Sequence, residues 1–452
     1  MKLFQALRSG MESCIAFVGA GGKSSAMFLL AREYPCPVIL SASTHLSSEQ
    51  VNQFSPHYIV ENLDQLKKIF DKPIYRTTLI TGAQTEDQRT YGLNYTLLET
   101  IFNHARQNHL PFIMEADGSR KLPLKAPADH EPAIPPWVNQ VVVMAGMASL
   151  GKPIDHNHVH RPEILNQITD SKQGDPVDVN ILEKLLKDPC GGLKNIPESA
   201  DRKLLLNQVS NQKRMTTAIE LAKRLEGVYS SVLIGDIPHW DRNRDNCTES
   251  NPILERREQI GGLILAAGMS QRFGGPKILL DWGGIPVIRR IALTAIQSGL
   301  SPVVLVLGAY TSEVYPYLQD LPLTIIENSE WRNGQSTSFI KGINLLSGGV
   351  GGVVVLLADQ PHISADTIKK IIRTHQTLSF PIIIPTVTGR RANPVLFDRL
   401  TFPEIKKISG DVGGRILFSK FPVMELPFQD EGLILDIDTP EDYQKLKNRY
   451  LA

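Results

Sequence analysis

Two α/β domains in tandem, each a doubly wound, mostly parallel sheet covered by helices, are what this sequence predicts. Three observations predict them. The chain has 452 residues, too many for one hydrophobic core. Short continuous apolar runs alternate with segments of helical period, the pattern of strands buried on both faces. And the order strand, glycine-rich loop, downstream carboxylate begins twice, once near residue 14 and again near residue 262.

In the first half, CIAFV at 14–18 is a strand. It runs into a loop at 19–25 and the apolar helix AMFLLAREY. Further strands are predicted at 38–40, 78–80, 112–114, 141–144, 204–206 and 232–234, with helices at 63–70 and 97–107. The stretch PHWDRNRDNCTESNPILERRE at 238–258 is rich in Asp, Asn, Arg and Pro and has no apolar period, so it reads as a linker. The predicted domains are therefore 1–238 and 259–452, joined by 239–258. After it, strands are predicted at 262–265, 303–307, 324–326, 353–357 and 382–384, with helices at 287–298 and 365–377. The halves share an architecture and no sequence repeat.

Composition narrows the partners. A net charge of +1 gives no bulk attraction to nucleic acid or to an anionic membrane. Phosphate chemistry must then come from local Lys, Arg and backbone N–H groups. Cys14, Cys36, Cys190 and Cys247 form no C-x-x-C pair, which fits a reduced cytoplasm better than a disulfide framework. MKLFQALRSGMES lacks the apolar run of a signal peptide, and no apolar stretch reaches the ~18 residues of a membrane span. The expected location is cytoplasmic.

In the second half the strand GLIL enters LAAGMSQRFGGPK at 265–277. The small residues after Leu265, namely Ala266, Ala267 and Gly268, let backbone N–H groups approach a triphosphate. Arg272 and Lys277 supply cations for charge building on an α-phosphate and a departing pyrophosphate. The buried strand VVVLL ends beside Asp359, where a carboxylate at a parallel strand's C-terminal edge can hold Mg²⁺. Asp436 and Asp438 project to one side if that segment is extended, and Asp438 is the better partner for Asp359 at the metal. Taken singly, Asp359 and Asp438 also read as helix caps.

In the first half, FVGAGGKSS at 17–25 lies between strand and helix, as a P-loop does. Gly21, Gly22, Lys23 and Ser24 are the candidate phosphate and Mg²⁺ contacts, for ATP or GTP. The pattern departs from G-x-x-x-x-G-K-[ST] at Phe17. FIMEADGSR at 112–120 ends a strand in Glu115 and Asp117, carboxylates placed to hold a metal or its water. His156, His158 and His160 alternate, so an extended strand would put them on one face; with no second His or Cys cluster a solvated loop is the stronger reading. In Asn207-Gln208-Val209-Ser210 a serine stands where a guanine-reading carboxylate would be needed, so GTP preference does not follow.

LAAGMSQRFGGPK, NSEWRNGQSTS, LLADQP, GRRANPVLF, GDVGGR and DIDTPEDY occur in order through the second half, which resembles the MobA/MocA-like nucleotidyltransferases of molybdenum cofactor biosynthesis. The resemblance implies a Rossmann-like, glycosyltransferase-A-like domain that joins CTP and molybdopterin into molybdopterin cytosine dinucleotide, with Mg²⁺. It implies nucleotide contacts at Asn328, Gly334 and Ser336, and acceptor contacts at Asn393, Pro394, Gly410, Asp411 and Arg415. LAAG rather than LAGG points to the cytidylyl branch, a choice that hangs on Ala267. In the first half VGAGGKSS, SASTHL, MEADGSRKLPLKAP, HEPAIP and HRPE resemble the selenium-dependent hydroxylase accessory family of YqeC type. That likeness implies maturation of a molybdenum hydroxylase apo-protein as the setting. A sugar-phosphate nucleotidyltransferase, and a non-catalytic carrier of cofactor to a hydroxylase, are the alternatives.

Overall fold

The computed structural model describes residues 1–52, 54–85, 89–238, 251–269 and 273–451. The chain forms two compact units, Met1–Arg257 and Glu258–Ala452.

The first unit holds β1 (Cys14–Gly19), β2 (Val38–Ala42), β3 (His57–Ile59), β4 (Thr77–Thr81), β5 (Phe112–Glu115) and β6 (Leu124–Lys125). It continues with β7 (Gln140–Gly146), β8 (Val159–His160), β9 (Asp201–Asn207), β10 (Ser231–Gly235) and β11 (Ile253–Arg257). Nine of these make one sheet in the order β11-β10-β9-β7-β1-β5-β2-β4-β3. Alternation explains why β1 is apolar throughout. Cys14, Ala16 and Val18 enter one core while Ile15 and Phe17 enter the core on the other face. Every pairing in this sheet is parallel except that of β11, which runs antiparallel beside β10.

That last strand corrects the predicted linker. Ile253–Arg257 belongs to the sheet of the first unit, and Ile253 accepts a hydrogen bond at 2.6 Å from the amino group of Met1. ILERR buries only Ile253 and Arg256 on a sheet edge, and a buried arginine in a charged stretch does not read as strand in the sequence. Residues 239–250 of the expected linker lie outside the described residues.

The second unit holds β12 (Ile260–Ala266), β13 (Val303–Leu307), β14 (Thr324–Glu327), β15 (Gly352–Leu357), β16 (Ile382–Val387), β17 (Arg390–Arg391), β18 (Val395–Asp398) and β19 (Val423–Pro427). The sheet order is β14-β13-β12-β15-β18-β16-β17, with β19 on β16. β12, β13, β14 and β15 pair in parallel, but β18 enters antiparallel between β15 and β16. The sheet is therefore mixed rather than mostly parallel. GRRANP reads as a turn and VLFD is short, so a reversed central strand was not visible in the sequence. Register sets up the site: Leu265 pairs with Leu357, so the loop after β12 and the acidic turn after β15 leave the sheet at the same edge. No helix among the described residues is long and apolar enough to cross a membrane.

Candidate functional site

In the second unit a lysine and two aspartates from three distant stretches meet. Lys277, on the 3₁₀ turn Lys277–Leu279, donates from Nζ to Asp359 Oδ2 at 2.8 Å and to the carbonyl of Ile437 at 2.7 Å, and lies 3.3 Å from Asp438 Oδ1. Ile437 N–H donates to Asp359 O at 3.1 Å, pinning the C-terminal segment to the end of β15. That bond is why Asp438 reaches a residue 79 positions earlier in the chain (438 − 359).

The other oxygen, Asp359 Oδ1, is buried and has no hydrogen-bond partner among the described residues. A carboxylate oxygen withdrawn from water without a donor is unfavourable unless a cation completes it. The Asp438 side chain is 47% exposed, against 21% for Asp359, so the pair opens toward solvent on one side. Asp436 joins the cluster: Gln360 Nε2 donates to its Oδ1 at 2.7 Å. Its partly enclosed carboxyl, crowded by the charges of Asp359 and Asp438, is pushed up to about 6. Neither Gln360 nor the electrostatic part of Asp436 was singled out from the sequence.

The loop after β12 is as open as its composition suggested at one point. A Cβ on Gly268 would meet nothing within 4 Å among the described residues, whereas Ala266 and Ala267 are buried. Gly308, a residue the sequence reading passed over, lets the end of β13 lie against this loop, since a Cβ there would fall 2.6 Å from Ala267 O. Arg272 lies outside the described residues.

The expected nucleotide contacts Asn328 and Ser336 are turned inward. Each is 1% exposed. Asn328 donates to Thr337 Oγ1 and Ser338 Oγ at 2.8 and 2.9 Å and accepts from Glu330 N–H at 3.1 Å. Ser336 Oγ donates to the carbonyl of Gly410 at 2.6 Å. Gly334, at φ 113°, permits the close approach of this segment to Gly410, because a Cβ would sit 2.5 Å from the Gly410 carbonyl carbon. Asp411 Oδ1 then accepts from the first N–H of the helix Gln335–Leu346 at 3.2 Å, a cap supplied from 76 residues away. These residues fix the loop that begins at Gly410.

That loop borders a cleft of about 680 Å³ whose lining includes Leu265, Asn393, Asp411 and Arg415. Three of the five expected acceptor contacts therefore face one space, and the other two, Pro394 and Gly410, flank it in sequence. Arg391, also on the lining, is a fourth polar group that the sequence reading did not single out. At the opposite end of β15 and β18, Glu258, His375 and Asp398 form a buried cluster, the one group of converging His and acidic side chains among the described residues. His375 Nε2 is 2.8 Å from Asp398 and Nδ1 is 3.9 Å from Glu258. Nε2 is at hydrogen-bond distance from Asp398, and one ligand atom from each of the three side chains lies within 4.8 Å of the others.

The first unit assembles its own lysine and acids, and seals them. Gly22, at φ 113°, turns the chain from the loop into the helix Lys23–Glu33. Lys23 Nζ donates to Gly19 O at 2.6 Å and lies 3.3 Å from Asp117 and 3.6 Å from Glu115. Its side chain is 1% exposed. Burial works against its charge, but Asp117 and Glu115 outweigh burial and hold Lys23 above the ordinary lysine range. Ser24 Oγ donates to Glu115 Oε2 at 2.8 Å and receives Gln50 Nε2. A second buried lysine, Lys125, bridges Asp117 and Glu131 at 2.8 Å each, and Arg161 adds 2.6 Å to Glu131. Burial notwithstanding, Lys125 and Arg161 pull Glu131 down to about 2.

Asn207 closes this site from β9, donating to Gly21 O at 2.8 Å and accepting from Ile237 N–H at 2.8 Å. The three histidines do not converge. His156 meets Glu163, His158 meets Asp155, and His160 is buried and lowered to about 4 by burial and by Arg161, Lys125 and Arg120.

Residues 15–163 match the family described as YqeC protein, and residues 262–424 match the MobA-like NTP transferase domain. Purine catabolism protein PucB of Bacillus subtilis (strain 168) is 30% identical over 206 residues, 42% of this chain and 98% of PucB. The molybdenum cofactor cytidylyltransferase of Escherichia coli (strain K12) is 25% identical over 192 residues, 42% of this chain and 97% of the relative. The uncharacterized protein YqeC of the same organism is 26% identical over 228 residues, 49% of this chain and 87% of the relative.

Proposed function

Since the chain belongs to the MobA-like NTP transferase family in its second unit and carries a YqeC domain in its first, we propose that the second unit is a molybdenum cofactor cytidylyltransferase. CTP and molybdenum-loaded molybdopterin are its substrates, and molybdopterin cytosine dinucleotide and pyrophosphate its products. The observation that carries this reading is the Lys277–Asp359–Asp438 cluster at the same sheet edge as the open loop at Gly268. Asp359, with its unpartnered Oδ1, and Asp438 are the residues that would hold Mg²⁺. Bound there, the ion would offset charge on the reacting phosphate.

The chain's own groups do the rest. Lys277 neutralises the acidic pair and supplies an ammonium for charge that develops in the transition state. The cleft lined by Asn393, Asp411 and Arg415 receives the acceptor, and Arg415 can pair with its phosphate. Positioning and charge are the main demands of such a transfer. We further infer that the first unit binds ATP or GTP through Gly21, Gly22, Lys23 and Ser24, and serves a molybdenum hydroxylase apo-protein. The strand–loop–helix context and the Glu115–Asp117 pair support that reading.

The test is to incubate the full chain with Mg²⁺, molybdenum-loaded molybdopterin and each nucleoside triphosphate, and to identify dinucleotide by mass. Cytidine dinucleotide is expected, dependent on the divalent ion. Equal yields from CTP and GTP would remove the base assignment, and products from sugar phosphates alone would remove the acceptor.

A further inference from the structure

We propose that the first unit's cleft carries a second anion-binding subsite, beside the nucleotide phosphates, for an oxyanion-bearing small molecule held by Arg120, Lys121 and Arg89. The inference rests on the reading of Gly21–Ser24 as a nucleoside triphosphate site.

The cleft, about 470 Å³, is lined by Lys23, Ser24 and Glu115 together with Glu49, Arg89, Arg120 and Lys121. Its rim can be followed bond by bond. Ser24 meets Gln50, the next residue is Glu49, and Glu49 pairs with Lys121. Lys121 is thus linked through Glu49 and Gln50 to Ser24, the group expected to meet the nucleotide's metal. A cleft of this size exceeds what a phosphate tail alone would fill and falls in the range of whole small-molecule sites.

Its cations differ in their commitments. Lys23 is committed to Asp117 and Glu115. Among the described residues neither Arg89 nor Arg120 has an ion-pair partner, and both are exposed. Two arginines on the lining of one cavity suit a planar, bidentate oxyanion rather than a neutral ligand.

The backbone adds a second observation. Arg120 and Lys121 are consecutive left-handed residues, φ 50° and 62°, a conformation that residues with side chains avoid. The turn is held there from both ends: Leu122 N–H donates to Ser119 O at 3.0 Å, and buried Lys125 donates to Gly118 O at 2.6 Å. The fold thus fixes an unfavourable turn that brings Arg120, and Lys121 in its pair with Glu49, to the cleft, on the segment that also carries Glu115 and Asp117.

The experiment uses the full chain in excess Mg²⁺, with CTP present throughout to occupy the second unit. A non-hydrolysable ATP or GTP analogue is titrated first, then pyrophosphate or malonate, by calorimetry. Saturable binding of one of the two anions to the analogue-loaded protein is expected, and which one binds distinguishes a phosphate from a carboxylate ligand. Arg120→Ala and Arg89→Ala, both exposed positions, should weaken it at least about tenfold while changing analogue affinity less than about twofold. Arg120→Lys should recover only part of the loss. Anion binding that is absent from analogue-loaded protein, or unaffected by these substitutions, overturns the subsite. A wild-type chain that binds neither analogue overturns the nucleotide reading instead.

Discussion

The two units solve the same problem in opposite ways. Each sets a lysine between two carboxylates where a strand, a glycine-rich loop and an acidic turn meet, and the first unit adds Lys125 and Glu131 behind them. In the first unit Lys23, Asp117 and Glu115 have side chains 1%, 2% and 6% exposed. In the second, Lys277, Asp359 and Asp438 are 15%, 21% and 47% exposed. Sealed charges must satisfy one another, because desolvation is offset only while every partner is present. Half-open charges have water as an alternative and remain available to a ligand. The same residue types therefore serve the fold first in one unit and the chemistry first in the other.

The largest expected effect breaks the comparison at its lysines. Lys23→Ala leaves buried Glu115 without its lysine and Asp117 with Lys125 alone, and should destabilise the first unit by about 3–5 kcal/mol. Lys277→Ala should destabilise the second unit by only about 1–2 kcal/mol, since Asp438 stays hydrated. Its dinucleotide synthesis should fall about 100- to 1,000-fold, the scale of losing one preorganised charge-stabilising group. Denaturant melts followed for each unit, with turnover measured in parallel, check both halves. If Lys23→Ala melts like wild type, or Lys277→Ala loses its fold before its activity, the contrast between sealed and open clusters is wrong.

How much of this was legible in the sequence depends on what each residue reports. The centres of β1, β2, β5, β7, β12, β13 and β15 were legible because a run of apolar residues can be buried on two faces in few other ways. β11 and β18 were not. ILERR is two apolar residues followed by three charged ones beside a polar stretch, and VLFD follows turn-forming residues, so neither shows a long apolar run. The meeting of Lys277, Asp359 and Asp438 was expected from motif chemistry. The inward turn of Asn328 and Ser336 was not, because a polar residue type does not say whether its hydrogen bonds go to a ligand or to the backbone. Gln50 escaped notice for a related reason: it sits on the four-residue helix Ser48–Val51, too short to leave a period.

Ser336 sharpens the distinction within the second unit. Its hydroxyl bonds the Gly410 carbonyl at 2.6 Å, at the start of the loop that lines the cleft with Asp411 and Arg415. Ser336→Ala removes one buried hydrogen bond, about 1 kcal/mol, or roughly fivefold if all of it falls on loop placement. Steady-state kinetics should show that change in the KM for the molybdopterin acceptor, with the KM for CTP unmoved. The reverse result would mean that Ser336 contacts the nucleotide, as the motif alone suggests.

The smallest effect concerns the openness of the second cluster. Partial burial and the charges of Asp359 and Asp438 push Asp436 up to about 6, against about 3.9 in an unfolded chain. A carboxyl raised on folding binds its proton more tightly in the native state. Its contribution to stability is therefore complete below about pH 4 and is lost as pH rises through 6. Because Asp436 is exposed as a residue, screening should hold the effect below about 1 kcal/mol. Asp436→Asn cannot titrate, so the melting-temperature difference between variant and wild type should shift in favour of the variant between pH 4 and 7. Saturating Mg²⁺ should shrink that shift, since a cation between Asp359 and Asp438 removes much of the repulsion that Asp436 feels. A shift that Mg²⁺ leaves unchanged would mean that burial alone raises Asp436, and that the acidic pair is not where the ion binds.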